Sequence, residues 1–217
     1  MIRLRAVFSK KDRAKYISHL DLNRCMLRTF RRSGLPIWYT EGFHSHPYFS
    51  FALALSLGYE SECEILDFNL NEEVPFDEVR DRLNAVMPDG MEIISVAEQV
   101  RKITAITNAE YSFSLVTDKP ESLINDIKSL INQEQILIEK KTKKGVKTVD
   151  IKPDMKIVSC EVSEKSVDMV MRLPAGTQTN YNPSLFFEAL KNVSDMPFET
   201  AEIRRTGIFC ENNEIFS

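Results

Sequence analysis

The sequence has no C-x-x-C pair: its four cysteines, Cys25, Cys63, Cys160 and Cys210, are scattered along the chain. That excludes a zinc ribbon or a three-cysteine iron–sulfur motif within these residues and leaves buried, reduced thiols as the expectation. Long apolar runs are missing too. The longest apolar-looking stretch, Phe51 to Tyr59, is broken by Ser56 and falls far short of the roughly 20 residues a membrane helix needs. The first residues alternate like a strand instead of forming the apolar block of a secretion signal, so a cytoplasmic protein without a membrane partner is expected. Glycine is sparse, at 7 of 217 residues. There is no phosphate-binding glycine loop, no G-x-G-x-x-G, no nucleophile elbow and no RNA-recognition-motif octapeptide.

What is present is a globular composition, 43% hydrophobic and 28% charged, outside the disordered range. The net charge of −4 hides an asymmetry. Residues 1–50 carry 10 Lys/Arg against 3 Asp/Glu, a net of +7, whereas residues 51–100 carry 2 against 12, a net of −10. Either the two segments form separate basic and acidic surfaces that meet different partners, or they neutralise one another across the fold.

Periodicity gives the order of elements. Ile2, Leu4, Ala6 and Phe8 alternate in a strand, and Leu22, Cys25/Met26 and Phe30 recur at helical spacing over Asp21–Ser33 until Gly34 and Pro36 end it. Strands are predicted over Ile37–Thr40, Cys63–Leu70 and Met91–Val96, with a helix opened by Pro75 and carrying Val79, Leu83 and Val86. The second half repeats the order. Tyr111, Phe113 and Leu115 mark a strand, Pro120 starts a helix, and Ile136–Lys140 with Val146–Ile151 form a hairpin. Ile157–Val162 and Val167–Leu173 form another, Asn182-Pro183 opens a helix, and Thr200–Phe209 is the last strand. The fold class expected is α+β: tandem ferredoxin-like βαββαβ halves with antiparallel sheets, at 1–100 and 109–217, joined near residues 101–108.

Candidate chemistry is concentrated between Tyr16 and Asp67. Arg24, Arg28 and Arg31 stand at i, i+4 and i+7, a basic stripe opposite the apolar face of the first helix, with Arg32 beside it. Guanidinium groups at that pitch can reach successive phosphates, and Phe43, Tyr48 and their aromatic neighbours can stack on unpaired bases. Lys143 and Lys144 in the lysine-rich hairpin form a second basic feature, which edge protection explains equally well. His19, Asp21 and His46 are the candidates for acid–base roles, although Ser18 or Asp21 also suits a helix cap. His44 and His46 would point the same way in a strand, as two zinc ligands need. Three ligands, His19, His44 and His46, at mixed spacing and with no orienting partner do not make a zinc site, and no metal is expected.

Tyr16-Ile17-Ser18-His19-Leu20-Asp21-Leu22, the Arg24 to Arg31 helix, Gly34-Leu35-Pro36 and Gly42-Phe43-x-x-His46-Pro47 resemble the radical SAM-linked protein family of uncharacterised function. Ser50-Phe51-Ala52, Leu57-Gly58, Ser61, Glu64 and Asp67 fit the same pattern. Lys144-Gly145-x-Lys147-x-Val149-Asp150-Ile151-Lys152-Pro153 and Arg204-Arg205-Thr206-Gly207-Ile208-Phe209 fit it more loosely. That family usually has Asn-Pro before its His-Pro pair where this chain has His44-Ser45, so His44 is not a device shared across the family. Such proteins occur beside, or fused to, a cobalamin-binding radical SAM protein. The resemblance therefore implies a radical SAM partner that holds the iron–sulfur cluster, S-adenosylmethionine and cobalamin, with no cofactor in this chain.

Together these features lead to an expected role as a non-catalytic, RNA-engaging accessory protein that presents RNA or a ribosome-related substrate to that partner, with the acidic 60–81 region contacting it. A metal-independent ribonuclease using His19 or His46 is the first alternative. The tandem ferredoxin-like order also looks like the CRISPR repeat-processing endonucleases, whose glycine-rich loop is represented here at most by Gly207. A protein-only scaffold of the radical SAM partner is the second.

Overall fold

A computed structural model describes residues 1–142, 145–176 and 179–217. The chain divides into two compact units, Met1–Ala105 with Arg204–Ser217, and Ile106–Ile203. The fold is α+β, with four α-helices and largely antiparallel strands among the described residues.

In the first unit β1 (Ile2–Lys10), α1 (His19–Arg32), β2 (Phe49–Phe51), β3 (Glu60–Leu70), α2 (Phe76–Asn84) and β4 (Met91–Glu98) follow in a βαββαβ order. Their sheet runs β4-β1-β3-β2 with every pair antiparallel, the ferredoxin-like arrangement. The alternation of β1 decides which face is covered. Leu4 stands opposite Phe68 and Ala6 opposite Leu66; with Phe8 they join Leu22, Met26 and Phe30 of α1 and Val79 and Leu83 of α2 in one buried cluster. Each large apolar side chain so buried contributes roughly 2 kcal/mol. Phe30 ties α1 to the sheet, its ring 5.1 Å from Phe68 and 5.5 Å from Phe49. Gly90 closes the turn before β4 at φ +82, where a Cβ would lie 2.6 Å from the Lys11 carbonyl oxygen.

One expected strand is absent. Ile37–Thr40 contributes only isolated bridges, Ile37 to Leu70 and Tyr39 to Pro47, and the second strand of the unit is the short β2 further on. Pro36 and Pro47 flank a segment that turns back on itself: the Thr40 N–H bonds the His46 carbonyl and the Tyr48 N–H bonds that of Trp38.

The second unit contains β5 (Ile106–Val116), α3 (Pro120–Ile131), the hairpin β6 (Leu137–Thr142) and β7 (Gly145–Asp150), then β8 (Lys156–Val162), β9 (Ser166–Pro174) and α4 (Ser184–Val193). The last strand, β10 (Glu199–Cys210), begins in this unit and stands beside β5, giving the order β10-β5-β9-β8 with β6 and β7 as a separate pair. This is the same ferredoxin-like order with a hairpin inserted after α3. Tyr111 faces Met171, Phe113 faces Met169 and Leu115 faces Val167 across β5 and β9. These residues are buried, as are Leu123, Ile127 and Leu130 of α3 and Phe186 and Leu190 of α4.

The division was expected near residues 101–108, with the second half running to the end. The chain instead returns, and Arg204–Ser217 groups with the first unit. Two contacts account for it. Arg204 and Arg205 pair in parallel with Glu60 and Ser61 of β3, and the Arg205 guanidinium reaches Glu64 at 2.8 Å with both side chains almost fully buried. Its second nitrogen donates to the Ala54 carbonyl at 2.8 Å.

Arg205→Met leaves the Glu64 carboxylate buried without its counter-charge and is expected to cost about 3–5 kcal/mol, read as a lower urea midpoint. Glu64→Leu with Arg205→Met removes both charges and is expected to recover most of that loss. A double variant as unstable as the two single variants summed would show that the pair is not coupled.

Candidate nucleic-acid interface

The site is built on α1. Ser18 caps the helix, accepting the Asp21 N–H at 3.2 Å while its hydroxyl donates to Asp21 Oδ2 at 2.7 Å. Asp21 Oδ1 in turn accepts from Arg24 at 3.0 Å. The Ser18 hydroxyl, and then Arg24, hold the Asp21 carboxyl below the usual carboxylate range. Capping is thus where the structure places Ser18 and Asp21, in an i, i+3 reciprocal arrangement at the helix start.

With Leu22, Met26, Thr29 and Phe30 buried against the sheet, the flank of α1 is free to line a groove of about 500 Å³ opposite residues 85–88, which follow α2. Arg24, Arg28 and Arg32, together with Asp21, line it from α1, Ala85, Val86, Met87 and Pro88 form the other wall, and Cys25 and Thr29 also line it. Arg31 is exposed but does not line this groove. On a helix, i, i+4 and i+8 drift by only about 40° per step, so Arg32 continues the row while i+7 falls back to the other side of Arg24. Arg28, Arg31 and Arg32 carry no ion pair among the described residues. Burial raises the Cys25 thiol above its ordinary value, so it is protonated at neutral pH.

The aromatic loop is organised separately. Trp38 and Tyr48 meet edge to face at 5.6 Å, Phe43 is fully exposed, and none of Phe43 to Tyr48 lines the groove. Residues 41–48 form no strand, with a turn at Phe43 and His44 and a lone bridge at Pro47, so the parallel orientation expected of His44 and His46 has no strand to support it. His46 Nδ1 lies 2.9 Å from the His44 carbonyl oxygen, to which it donates, and 3.2 Å from Thr40 Oγ1. The His19 ring packs edge-on against Phe51 at 5.5 Å. Among the described residues no group of three or more His, Cys, Asp or Glu is placed to hold a metal, and His19, His44 and His46 therefore form no such group.

The acidic stretch is mostly engaged. Glu60 accepts from Lys15 and Arg204, Glu62 pairs with Lys11 and Arg204, Asp77 and Asp81 with Arg80, and Glu78 with Arg82. Glu72 and Glu73 are exposed and have no ion pair among the described residues. Lys143 and Lys144 lie outside the described residues. Sequence reasoning missed the buried charges Arg5, Lys10 and Arg205. Arg5 binds Asp67 through two bonds of 2.7 and 2.9 Å, its guanidinium 4.2 Å over the Phe216 ring. Lys10 donates to the Ile17 carbonyl at 3.0 Å; burial lowers its pKa and Glu64 partly offsets this. The available signal was Glu64 and Asp67 beside the apolar Ile65, Leu66 and Phe68 of β3, since a charge buried there needs a partner.

Residues 3–183 match a family described as an uncharacterised protein conserved in bacteria, DUF2344. The chain belongs to this family. Among curated proteins none matches it. Of solved structures, a chain of a Cbf5-Nop10-Gar1 complex is similar at 13% identity with a TM-score of 0.51, over 95% of this chain and 50% of the other. The DUF2344 chain thus spans half the length of that relative, and at such low identity the likeness concerns the fold alone. No helix among the described residues is long and apolar enough to cross a membrane.

Ser18→Ala is expected to destabilise the unit by about 1 kcal/mol through loss of the cap and to move the Asp21 titration upward. Because the folded carboxyl titrates below its unfolded value, its contribution is present above the carboxylate range and is lost as pH falls through the folded value. The stability gap between wild type and variant should therefore narrow, without closing, in acid. Carboxyl NMR titration with melts across pH checks both.

Proposed function

We propose that the protein engages RNA through the arginine groove and acts as an accessory to a radical SAM enzyme, presenting RNA or a ribosome-related substrate to it. The observation that carries this is the row Arg24, Arg28 and Arg32 along one groove wall, with Arg28 and Arg32 unpaired among the described residues. In a unit where Arg5, Lys15, Arg80, Arg82, Arg204 and Arg205 have carboxylate partners, Arg28 and Arg32, adjacent on one groove wall without one, suit an external polyanion. No histidine lines the groove, which favours holding a strand over cutting it. The radical SAM partner rests on the sequence resemblance. It would bring the iron–sulfur cluster, S-adenosylmethionine and cobalamin, and the exposed Glu72 and Glu73 are the acidic side chains left to meet it.

Binding of purified protein to total cellular RNA across a salt series tests this. Affinity should fall with salt, and Arg24→Glu/Arg28→Glu/Arg32→Glu should lower the log–log slope by about 2 to 3. The RNA should be recovered intact. Binding indifferent to the triple change would overturn the assignment to this groove. Cleavage abolished by His19→Ala or His46→Ala, with binding retained, would make the protein a ribonuclease. No binding at low salt, alongside a stable complex with the radical SAM protein, would leave a protein-only scaffold.

A further inference from the structure

The two walls of the groove differ in chemistry. We infer that the groove takes a single strand, with phosphates on Arg28 and Arg32 and base faces against Val86, Met87 and Pro88; this rests on the RNA reading above. The arginine wall advances about 6 Å per step at i, i+4 and i+8, following the phosphates of one strand. Arg24 is shared with Asp21 at 3.0 Å, so that end of the row carries a carboxylate and is the weaker for a phosphate. The opposite wall carries no charged side chain over residues 85–88, and Val86, Met87 and Pro88 are each half-buried. Met87 also packs on the core of the unit, which fixes the wall in place.

A duplex hides its base faces in the stack and offers phosphates and sugar hydroxyls. It would satisfy the arginines and leave the apolar wall facing a charged backbone. A single strand offers phosphates on one edge and unstacked base faces on the other, and both walls are then used. The soft Met87 thioether and the Pro88 ring suit flat base faces without demanding a sequence.

Fluorescence anisotropy with a short oligouridine, and with an RNA hairpin of equal phosphate number, tests the selection. The oligouridine is expected to bind about tenfold more tightly, the effect of roughly one stacked base. Val86→Ser should weaken oligouridine binding about fivefold and leave its salt slope and the hairpin's affinity unchanged; Pro88→Ser, further from the core, should do the same. Arg28→Gln/Arg32→Gln should lower the salt slope for both ligands. Equal binding of oligouridine and hairpin, still dependent on the arginines, would overturn the single-strand inference while RNA engagement stood. Equal displacement of oligouridine by a polyglutamate peptide would overturn it as well, because charge alone would then explain the occupancy. Failure of both RNAs to bind would remove RNA engagement itself.

Discussion

The guanidinium of Arg205 on the Glu64 carboxylate, 2.8 Å apart and almost fully buried, is the contact on which the first unit depends. A carboxylate at that depth costs several kcal/mol unless a counter-charge and hydrogen bonds meet it. The counter-charge comes from more than a hundred residues further along the chain. The parallel pairing of Arg204 and Arg205 with Glu60 and Ser61 follows from the same requirement, and so does the assignment of the last residues to the first unit. Arg5 and Asp67 solve the same problem a few residues along β3. Gln99 adds a bond to Asp67 at 2.7 Å, and Phe216 lies under the Arg5 guanidinium.

That arrangement explains why α1 is left with an unused flank. Lys10 reaches under the start of α1 to the Lys15 and Ile17 carbonyls, so the approach to the helix is pinned from beneath. Phe30 between Phe68 and Phe49 pins its far end. Held at both ends with its apolar face down, α1 must direct Arg24, Arg28 and Arg32 sideways. The turn after α2 is held beside it by the buried Val79 and Leu83 and by Asn84, which brackets the Ile93 amide and carbonyl at 2.7 and 2.9 Å. The groove is the space between two elements whose positions are set by the core.

Much of the element order was legible because the period of burial matches the period of the sequence. Leu4, Ala6 and Phe8, and Leu22, Met26 and Phe30, are read in sequence as they are buried in the fold. Strand Ile37–Thr40 was not legible as the bridged loop it is, because a short apolar-aromatic run between prolines looks the same whether or not a ladder forms on it. The arginine row was nearly legible. Its helix and spacing follow from the sequence, but the neighbour across the groove is the turn after α2, and no local pattern says which flank of α1 will face it. Hence the spacing alone puts Arg31 on the stripe, whereas Arg32 lines the groove. The return of the last strand was hidden for a stronger reason: Arg205 and Glu64 are charges in ordinary-looking positions, and only their joint burial makes them partners.

The charge asymmetry between residues 1–50 and 51–100 resolves in part by pairing within the fold. Arg5, Lys11 and Lys15 meet Asp67, Glu62 and Glu60 across β1 and β3, so the acidic segment is largely consumed by its neighbours and by Arg204 and Arg205. Arg5 is opposite Asp67 by register, while Lys11 and Lys15 reach Glu62 and Glu60 from the turn after β1. On the flank of α1, Arg24 meets Asp21 of its own helix. Arg28 and Arg32 are left unpaired among the described residues by geometry, because the topology puts no acidic strand beside them. Arg32, in the last turn of α1, also stands where a cation favours the helix C-terminus, whereas Arg28 stands mid-helix. The wall of residues 85–88 across the groove is uncharged, and Met87 within it packs on the core of the unit, so no carboxylate faces the row from that side.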